Sequence, residues 1–340
     1  MSVRPSTRAA LAGAGVSLAL CAAIYLGSRG LRDFDSALVP YAAATIFLAF
    51  GVTYRYLVWI SAPGARRLFR SGFGALFSWR SFRRAPTALP RMAATYLGFQ
   101  KFLGARSRAR WVAHQLMFWG CLLAVAITFP LTWGWFTFTA DAGAGPEYTM
   151  RLWGFGLVRF DALSVVGWLS FHGLDIAAVL VLAGSGYFLV RRLRDREATS
   201  GQRFGYDLVP LLALIVVSVT GLLLTFSSAV LHGGGYEFLA LIHMASVVGT
   251  LIYIPFGKFF HVVQRPAAVG MQLFKYVGRG EPGRCRVCGE PIDTAPFVAN
   301  LRATMVDLRL GFEALAETCP RCKRRERGRA YLRTVKKGFQ

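Results

Sequence analysis

Six apolar stretches, each long enough to cross a hydrocarbon core, set the first limit on what this chain can become. A bilayer-crossing helix needs about 20 mostly apolar residues. The stretches run from about Ala9 to Leu26, Ala37 to Ile60, Trp111 to Trp133, Leu163 to Val190, Leu208 to Leu231 and Phe238 to Val262. In lipid every backbone polar group must find its partner within the segment. The pattern therefore predicts an all-α, polytopic transmembrane helical bundle.

Charge supports the same class and orients it. The chain has 340 residues, 40 of them Lys or Arg against 17 Asp or Glu, a net charge of +23, yet 54% are hydrophobic. A soluble nucleic-acid binder interleaves basic with polar residues on one surface. Here the basic residues sit between apolar blocks, so no nucleic-acid partner is expected. A secreted disulfide scaffold is excluded as well, because 6 Cys are too few and four of them form CxxC pairs. Residues 62–110 carry eleven Arg or Lys (Arg66, Arg67, Arg83, Arg106 and Arg108 among them) and no acid. Residues 191–206 hold five Arg against two acids, and the tail beyond 258 is strongly basic. By contrast, 134–162 holds two Arg against three acids. By the positive-inside rule the basic segments are cytoplasmic, which gives six spans with both termini inside. The expected setting is the inner (cytoplasmic) membrane of a prokaryote. Arg4 and Arg8 before the first block also resemble a signal peptide. The long run and the lack of a clear small-residue cleavage site favour a retained span.

Four segments follow from this pattern: two N-terminal spans (1–61), a basic loop (62–110), a four-helix core (111–262) and a tail (263–340). In the loop, Arg alternates with Leu68, Phe69, Phe73, Leu76, Phe77 and Trp79. That reads as one or two amphipathic helices on the anionic inner leaflet, or as a docking surface for a cytoplasmic partner.

Four of the five histidines fall in predicted spans: His114, His172, His243 and His261. Ionisable residues in spans are expensive and mark function by default. His243 and His261 are eighteen residues apart. If they share one helix, eighteen steps of about 100° bring them to the same face, about 27 Å apart along the axis. Topology places His172 at the depth of His243 in the outer half, and His114 at the depth of His261 near the inner side. Opposed imidazoles from neighbouring helices are how a bundle holds haem, and two stacked haems make an electron wire. The competing readings are four unrelated polar contacts or a transport site. His232, in the loop His-Gly-Gly-Gly, reads as a solvated residue or a substitute for His172 as outer ligand.

The residues around these histidines carry a resemblance. The sixth span reads Leu241-Ile-His243-Met, then Tyr253-Ile-Pro255-Phe256-Gly-Lys258-Phe-Phe-His261, with Pro266 following. The third reads Trp111-Val-Ala-His114-Gln-Leu-Met-Phe118-Trp119-Gly120. Over roughly residues 110–266 this resembles the gamma (cytochrome b) subunit family of respiratory nitrate reductase. It is closest to the membrane subunits of heterodisulfide reductase and of sulfate-reducer redox complexes. The resemblance implies a membrane subunit holding two haem b groups. Such a subunit passes electrons between the quinone pool and a cytoplasmic iron–sulfur protein, with terminal substrate chemistry on a catalytic oxidoreductase partner. It matches His243 and His261 to the family's paired ligands and His114 to its early ligand. The nitrate reductase form takes its other two ligands from one helix, whereas here they would come from spans three and four.

Asp175, one turn inward of His172, is the one acid deep in a span. It reads either as a proton acceptor for quinol beside the outer haem or as an orienting partner of the His172 ring. Lys258, Arg110 and Arg265 are placed to meet haem propionates at the inner side. Arg55 reads as snorkelling to the inner interface or, alternatively, as a propionate partner.

The tail holds Cys285-Arg-Val-Cys288-Gly and Cys319-Pro-Arg-Cys322. Paired CxxC units in a reducing compartment suit a tetrahedral four-thiolate site. Structural zinc is expected, with a single iron or an iron–sulfur cluster as the alternative. Residues 297–316 between the pairs read as one helix. The rival readings of the whole are a small transporter, against which no internal repeat is visible, and a non-redox membrane anchor recruiting a partner.

Overall fold

The computed structural model describes residues 5–79, 83, 86–140, 147–195, 203–280 and 282–338; Arg4 lies outside them. The helices used below are α1 (Pro5–Gly27), α2 (Val39–Ser61), α3 (Pro63–Leu76), α4 (Arg108–Thr132), α5 (Val165–Arg194), α6 (Val209–Ala229), α7 (Tyr236–Tyr253), α8 (His261–Val277), α9 (Ala295–Asp307) and α10 (Pro320–Gly338). Among the described residues, α1, α2, α4, α5, α6 and α7 are long and apolar enough to cross a membrane. The protein is a multi-pass helical bundle. Its outward side chains are what lipid requires: Leu18, Phe47, Val125, Val179, Val216 and Leu223 are all exposed.

Helix starts follow local chemistry. Ser107 caps α4 by accepting from the Arg110 amide at 3.4 Å, and Ser164 caps α5 by accepting from the Gly167 amide at 3.1 Å. Close packing then divides the chain into two compact units, residues 1–55 with 101–263, and residues 56–100 with 264–340.

In the first unit α4 packs along α5, α5 along α6, and α6 along α7. The α4–α5 crossing needs glycine. A Cβ on Gly184 would lie 2.5 Å from the Ala113 carbonyl oxygen, so the backbones touch there. Between α4 and α5 the chain forms an antiparallel sheet, β1 (Phe136–Ala140), β2 (Glu147–Leu152) and β3 (Phe155–Asp161), with Phe138 opposite Met150 and Tyr148 opposite Phe160. This sheet lies in a stretch read from sequence only as a loop. Its alternation Phe136-Thr-Phe138-Thr is the strand signal.

The sixth span differs from the expectation of one helix from Phe238 to Val262. The α7 helix stops at Tyr253, a 3-10 turn covers Lys258–Phe260, and α8 restarts at His261. Pro255 has no N–H to continue the ladder, and its ring collides with the preceding turn. His243 and His261 therefore stand on different helices, and the same-face argument from eighteen residues does not hold. Arg55 of α2 seals the break. Its guanidinium donates to the Pro255 carbonyl and to the Gly257 carbonyl, and lies 4.3 Å above the ring of buried Phe260. Arg55 is thus neither simply snorkelling nor given over to a propionate. Charged hydrogen bonds of this kind contribute about 1.5–3 kcal/mol. Arg55→Ala is expected to lower stability by about 2–3 kcal/mol, because it leaves buried carbonyls bare. The thermal midpoint of the detergent-solubilised protein measures it, and an unchanged midpoint would refute the clamp.

In the second unit α3 crosses α8 at two glycines. A Cβ on Gly270 would meet the Gly72 carbonyl oxygen at 2.8 Å. Ala75, Ala88 and Leu273 form the core there, with Leu76, Met92, Phe274 and Val277 packed against it. On α9, Asn300 donates to Ser71 at 2.8 Å and Asp307 accepts from Arg67 at 2.9 Å. A two-stranded hairpin, β4 (Pro282–Arg284) and β5 (Pro291–Thr294), leads into α9. The helix expected over 297–316 is two pieces. The α9 helix ends at Asp307, and after Arg309 (φ 53°) and Gly311 (φ 69°) a 3-10 segment spans Glu313–Glu317. Two left-handed residues in three cannot be helical.

Candidate functional site

The four histidines singled out from the sequence all lie in the first unit, His114, His172 and His243 on membrane-crossing helices and His261 at the start of α8, beyond the sixth of them. Three of them have Nδ1 engaged, and the partners fix where the ring proton sits. His261 Nδ1 is 2.6 Å from the Lys258 carbonyl oxygen. A carbonyl only accepts, so Nδ1 carries the proton. The break in the sixth span supplies this carbonyl, since Lys258 lies in the 3-10 turn. His172 Nδ1 is 2.8 Å from Asp175 Oδ2, and the other carboxylate oxygen accepts from the Thr225 hydroxyl of α6 at 2.7 Å. An ionised carboxylate is an acceptor, so His172 again donates from Nδ1. His243 Nδ1 is 2.9 Å from Thr220 Oγ1, also on α6. That hydroxyl also lies 2.7 Å from the Val216 carbonyl, to which it can donate while it accepts from Nδ1. Its neighbour Gly221 lets the imidazole lie close, since a Cβ there would meet His243 Cε1 at 3.3 Å.

The Lys258 carbonyl fixes His261 with Nδ1 protonated, and Asp175 and Thr220 set an oxygen against the Nδ1 of His172 and His243, so that the same tautomer, with Nε2 carrying the lone pair, fits all three. That is the form in which an imidazole ligates a metal while its other nitrogen is held by the protein. The donor set fits haem iron, for which Nε2 is the ligating atom. His114 stands on α4 one turn after Arg110, with its ring edge-on to Phe188 of α5 at 6.4 Å. Both Asp175 and His243 are tied to α6, through Thr225 and Thr220. These threonines were not singled out from the sequence. Their only signal was a polar residue at each of two positions in a run of Leu and Val. Of the cations expected near propionates, Lys258 donates to Asp207 at 2.7 Å, with Arg192 at 3.5 Å from the same carboxylate oxygen. Arg110 sits in the capped first turn of α4.

The second site is in the tail. The sulfur atoms of Cys285, Cys288, Cys319 and Cys322 all lie within 4.8 Å of one another, and these four close cysteines could hold a metal ion. Cys288 and Cys319 sulfurs are 3.7 Å apart. Four thiolates around one zinc at about 2.3 Å have edges of about 3.8 Å, so the cluster has the right size. All four are free thiols rather than disulfides. The two halves of the knuckle come from different elements. Cys285 follows β4, and Gly289 (φ 72°) closes the turn by donating to the Cys285 carbonyl at 2.8 Å. Cys319 immediately precedes α10 and Cys322 lies in its first turn. Backbone amides point at sulfur: Cys319 N–H to Cys285 Sγ at 3.2 Å and Cys322 N–H to Cys319 Sγ at 3.4 Å. The Cys319 amide, with those of Cys288 and Val287, pulls the Cys285 thiol down to about 6. The Cys319 thiol beside it, together with burial, pushes Cys322 up. One thiolate is therefore ready before any ion arrives, and its neighbours give up their protons to a cation.

Compared with known proteins, the chain matches no family model, no curated protein and no solved structure.

Proposed function

We propose that this protein is a dihaem b membrane subunit of a respiratory oxidoreductase complex, passing electrons between the quinone pool and a cytoplasmic iron–sulfur partner. One observation carries the reading: three histidines of the bundle each have Nδ1 against a protein oxygen, an arrangement that leaves Nε2 of each for a metal. Unrelated polar contacts give no reason for that agreement. His172 and His243 would hold one haem, and His114 and His261 the other. Bound haem supplies a one-electron carrier, which a chain of ordinary side chains lacks.

The chain's own residues do the rest. Thr220, Asp175 and the Lys258 carbonyl hold the Nδ1 protons and fix ring orientation. Asp175, with both oxygens occupied, serves as the orienting partner of His172 rather than as a free proton acceptor. The carboxylate also makes that imidazole a stronger donor to iron. Charge asymmetry supports a cytoplasmic side for the basic loop and the tail, and the membrane would be the inner one of a prokaryote. The four cysteines would bind structural zinc and stiffen the tail against the iron–sulfur partner.

A reduced-minus-oxidised absorbance spectrum of the purified protein, with pyridine haemochrome quantification, tests this. The expected result is a b-type spectrum with about two haems per chain. A colourless protein, made with ample haem, would refute it and leave the transporter or the non-redox anchor.

A further inference from the structure

Helix α3 has two different faces. Gly72, Ala75 and Leu76 turn inward against α8 and its core. A neighbouring face, about 100° around the helix, carries Phe69 and Phe73, with Phe77 following at the C-cap, at four-residue spacing, so their rings form one stripe. The rings touch in series: Phe69 to Phe73 at 5.8 Å, Phe73 to Phe77 at 4.6 Å, and Phe69 back to Tyr56 of α2 at 6.0 Å. Phe73 is 52% exposed and Phe77 76%. Arg66 and Arg70 make a second four-residue stripe, about 60° around the helix from the first. Both are exposed. Arg66 also caps the end of α2 through the Ser61 carbonyl, and Arg67 is partly neutralised by Asp307. Residues 62–79 contain three Arg and no acid.

Position supplies the remaining argument. The membrane-crossing helix α2 ends at Ser61 and α3 begins at Pro63, with Ala62 between them. The ring contact between Phe69 and Tyr56 of α2 keeps the aromatic stripe beside the end of that span rather than out in solvent. An aromatic stripe exposed at that depth meets the boundary between headgroups and acyl chains, and the guanidinium stripe beside it meets phosphate.

We infer that α3 is an interfacial helix that binds anionic phospholipid. Phe69, Phe73 and Phe77 seat in the boundary region, and Arg66 and Arg70 engage headgroup phosphates. The inference rests on the membrane-spanning character of α2 and is independent of any haem.

Hydrogen exchange by mass spectrometry, on the full chain in nanodiscs, tests it. One set of discs contains phosphatidylcholine alone, and the other a phosphatidylcholine–phosphatidylglycerol mixture. Amides of residues 66–77 are expected to exchange roughly tenfold more slowly in the anionic discs. Arg70→Gln should remove roughly fivefold of that protection. Raised salt should remove most of the remainder, because the charges are at the surface. Phe77→Ser should speed exchange in both kinds of disc. Equal exchange in the two lipids, retention of the full anionic effect in an Arg66→Gln/Arg70→Gln variant, or no response to Phe77→Ser would each overturn the assignment.

Discussion

His243→Ala is expected to yield a folded protein that keeps one haem and loses the other, read as a fall from about two to about one haem per chain by pyridine haemochrome. The same result is expected for His172→Ala, with loss of the same low-spin signal in electron paramagnetic resonance. His114→Ala and His261→Ala should lose the other signal. The pairing is thus tested separately from the haem count. Thr220 offers a finer test. Its hydroxyl lies 2.9 Å from Nδ1 of His243, and removal of such a partner typically costs about 10–100-fold in affinity for the group held. Thr220→Val preserves shape and deletes the acceptor, so it should retain haem about tenfold less tightly while leaving the other haem untouched. Asp175→Asn should act likewise on His172 and should shift the midpoint potential of the haem that His172 holds. Full retention of two haems in all four alanine variants would sink the bis-histidine reading.

Removing metal from the tail is expected to unfold its cysteine module and leave the membrane helices intact. The physical reason is the poverty of the core. The buried cluster consists of Cys285, Cys319 and Cys322, with Ile292 the one partly buried hydrophobic side chain packed against it. So little apolar surface cannot offset the entropy of ordering the knuckles and the start of α10. Structural zinc contributes about 10–16 kcal/mol of apparent free energy in comparable small sites. A strong chelator, or Cys319→Ser, should therefore open residues 282–292 and 318–323 to limited proteolysis, while α9, held to α3, and α4 to α7 stay protected. Elemental analysis of the untreated protein should give about one zinc per chain. One iron in its place, with a visible thiolate-to-iron band, would turn the tail from a scaffold into a redox centre. Resistance of the chelated protein to proteolysis would refute the structural role.

Much of the architecture was legible because it depends on composition over long windows. Six apolar runs gave six long apolar helices, and two CxxC pairs gave four neighbouring sulfurs. What was not legible depends on single residues acting against their surroundings. The sixth apolar run continues through Pro255 and reads as one helix, yet the missing N–H and the bulky ring stop it at Tyr253. The sheet over Phe136–Asp161 was hidden because its strands are short and sit in a charged loop. The acceptors for the histidines could not be read at all. Thr220 and Thr225 acquire meaning only when α6 lies between α5 and α7, and the Lys258 carbonyl meets the His261 ring, as well as its backbone amide, in the 3-10 turn that follows the break.

The Arg55 clamp has a consequence for how the molecule could be divided. The four spans beginning at α4 hold all four of the histidines singled out from the sequence or lead directly to them, which makes the first two helices look dispensable. The carbonyls of Pro255 and Gly257 take their hydrogen bonds from α2, and those bonds border the turn that positions His261. A shortened chain starting at residue 101 would open that turn to lipid, where nothing can hydrogen-bond it. The N-terminal pair is therefore a built-in chaperone for that turn, and co-expressing it as a separate polypeptide should restore what truncation removes.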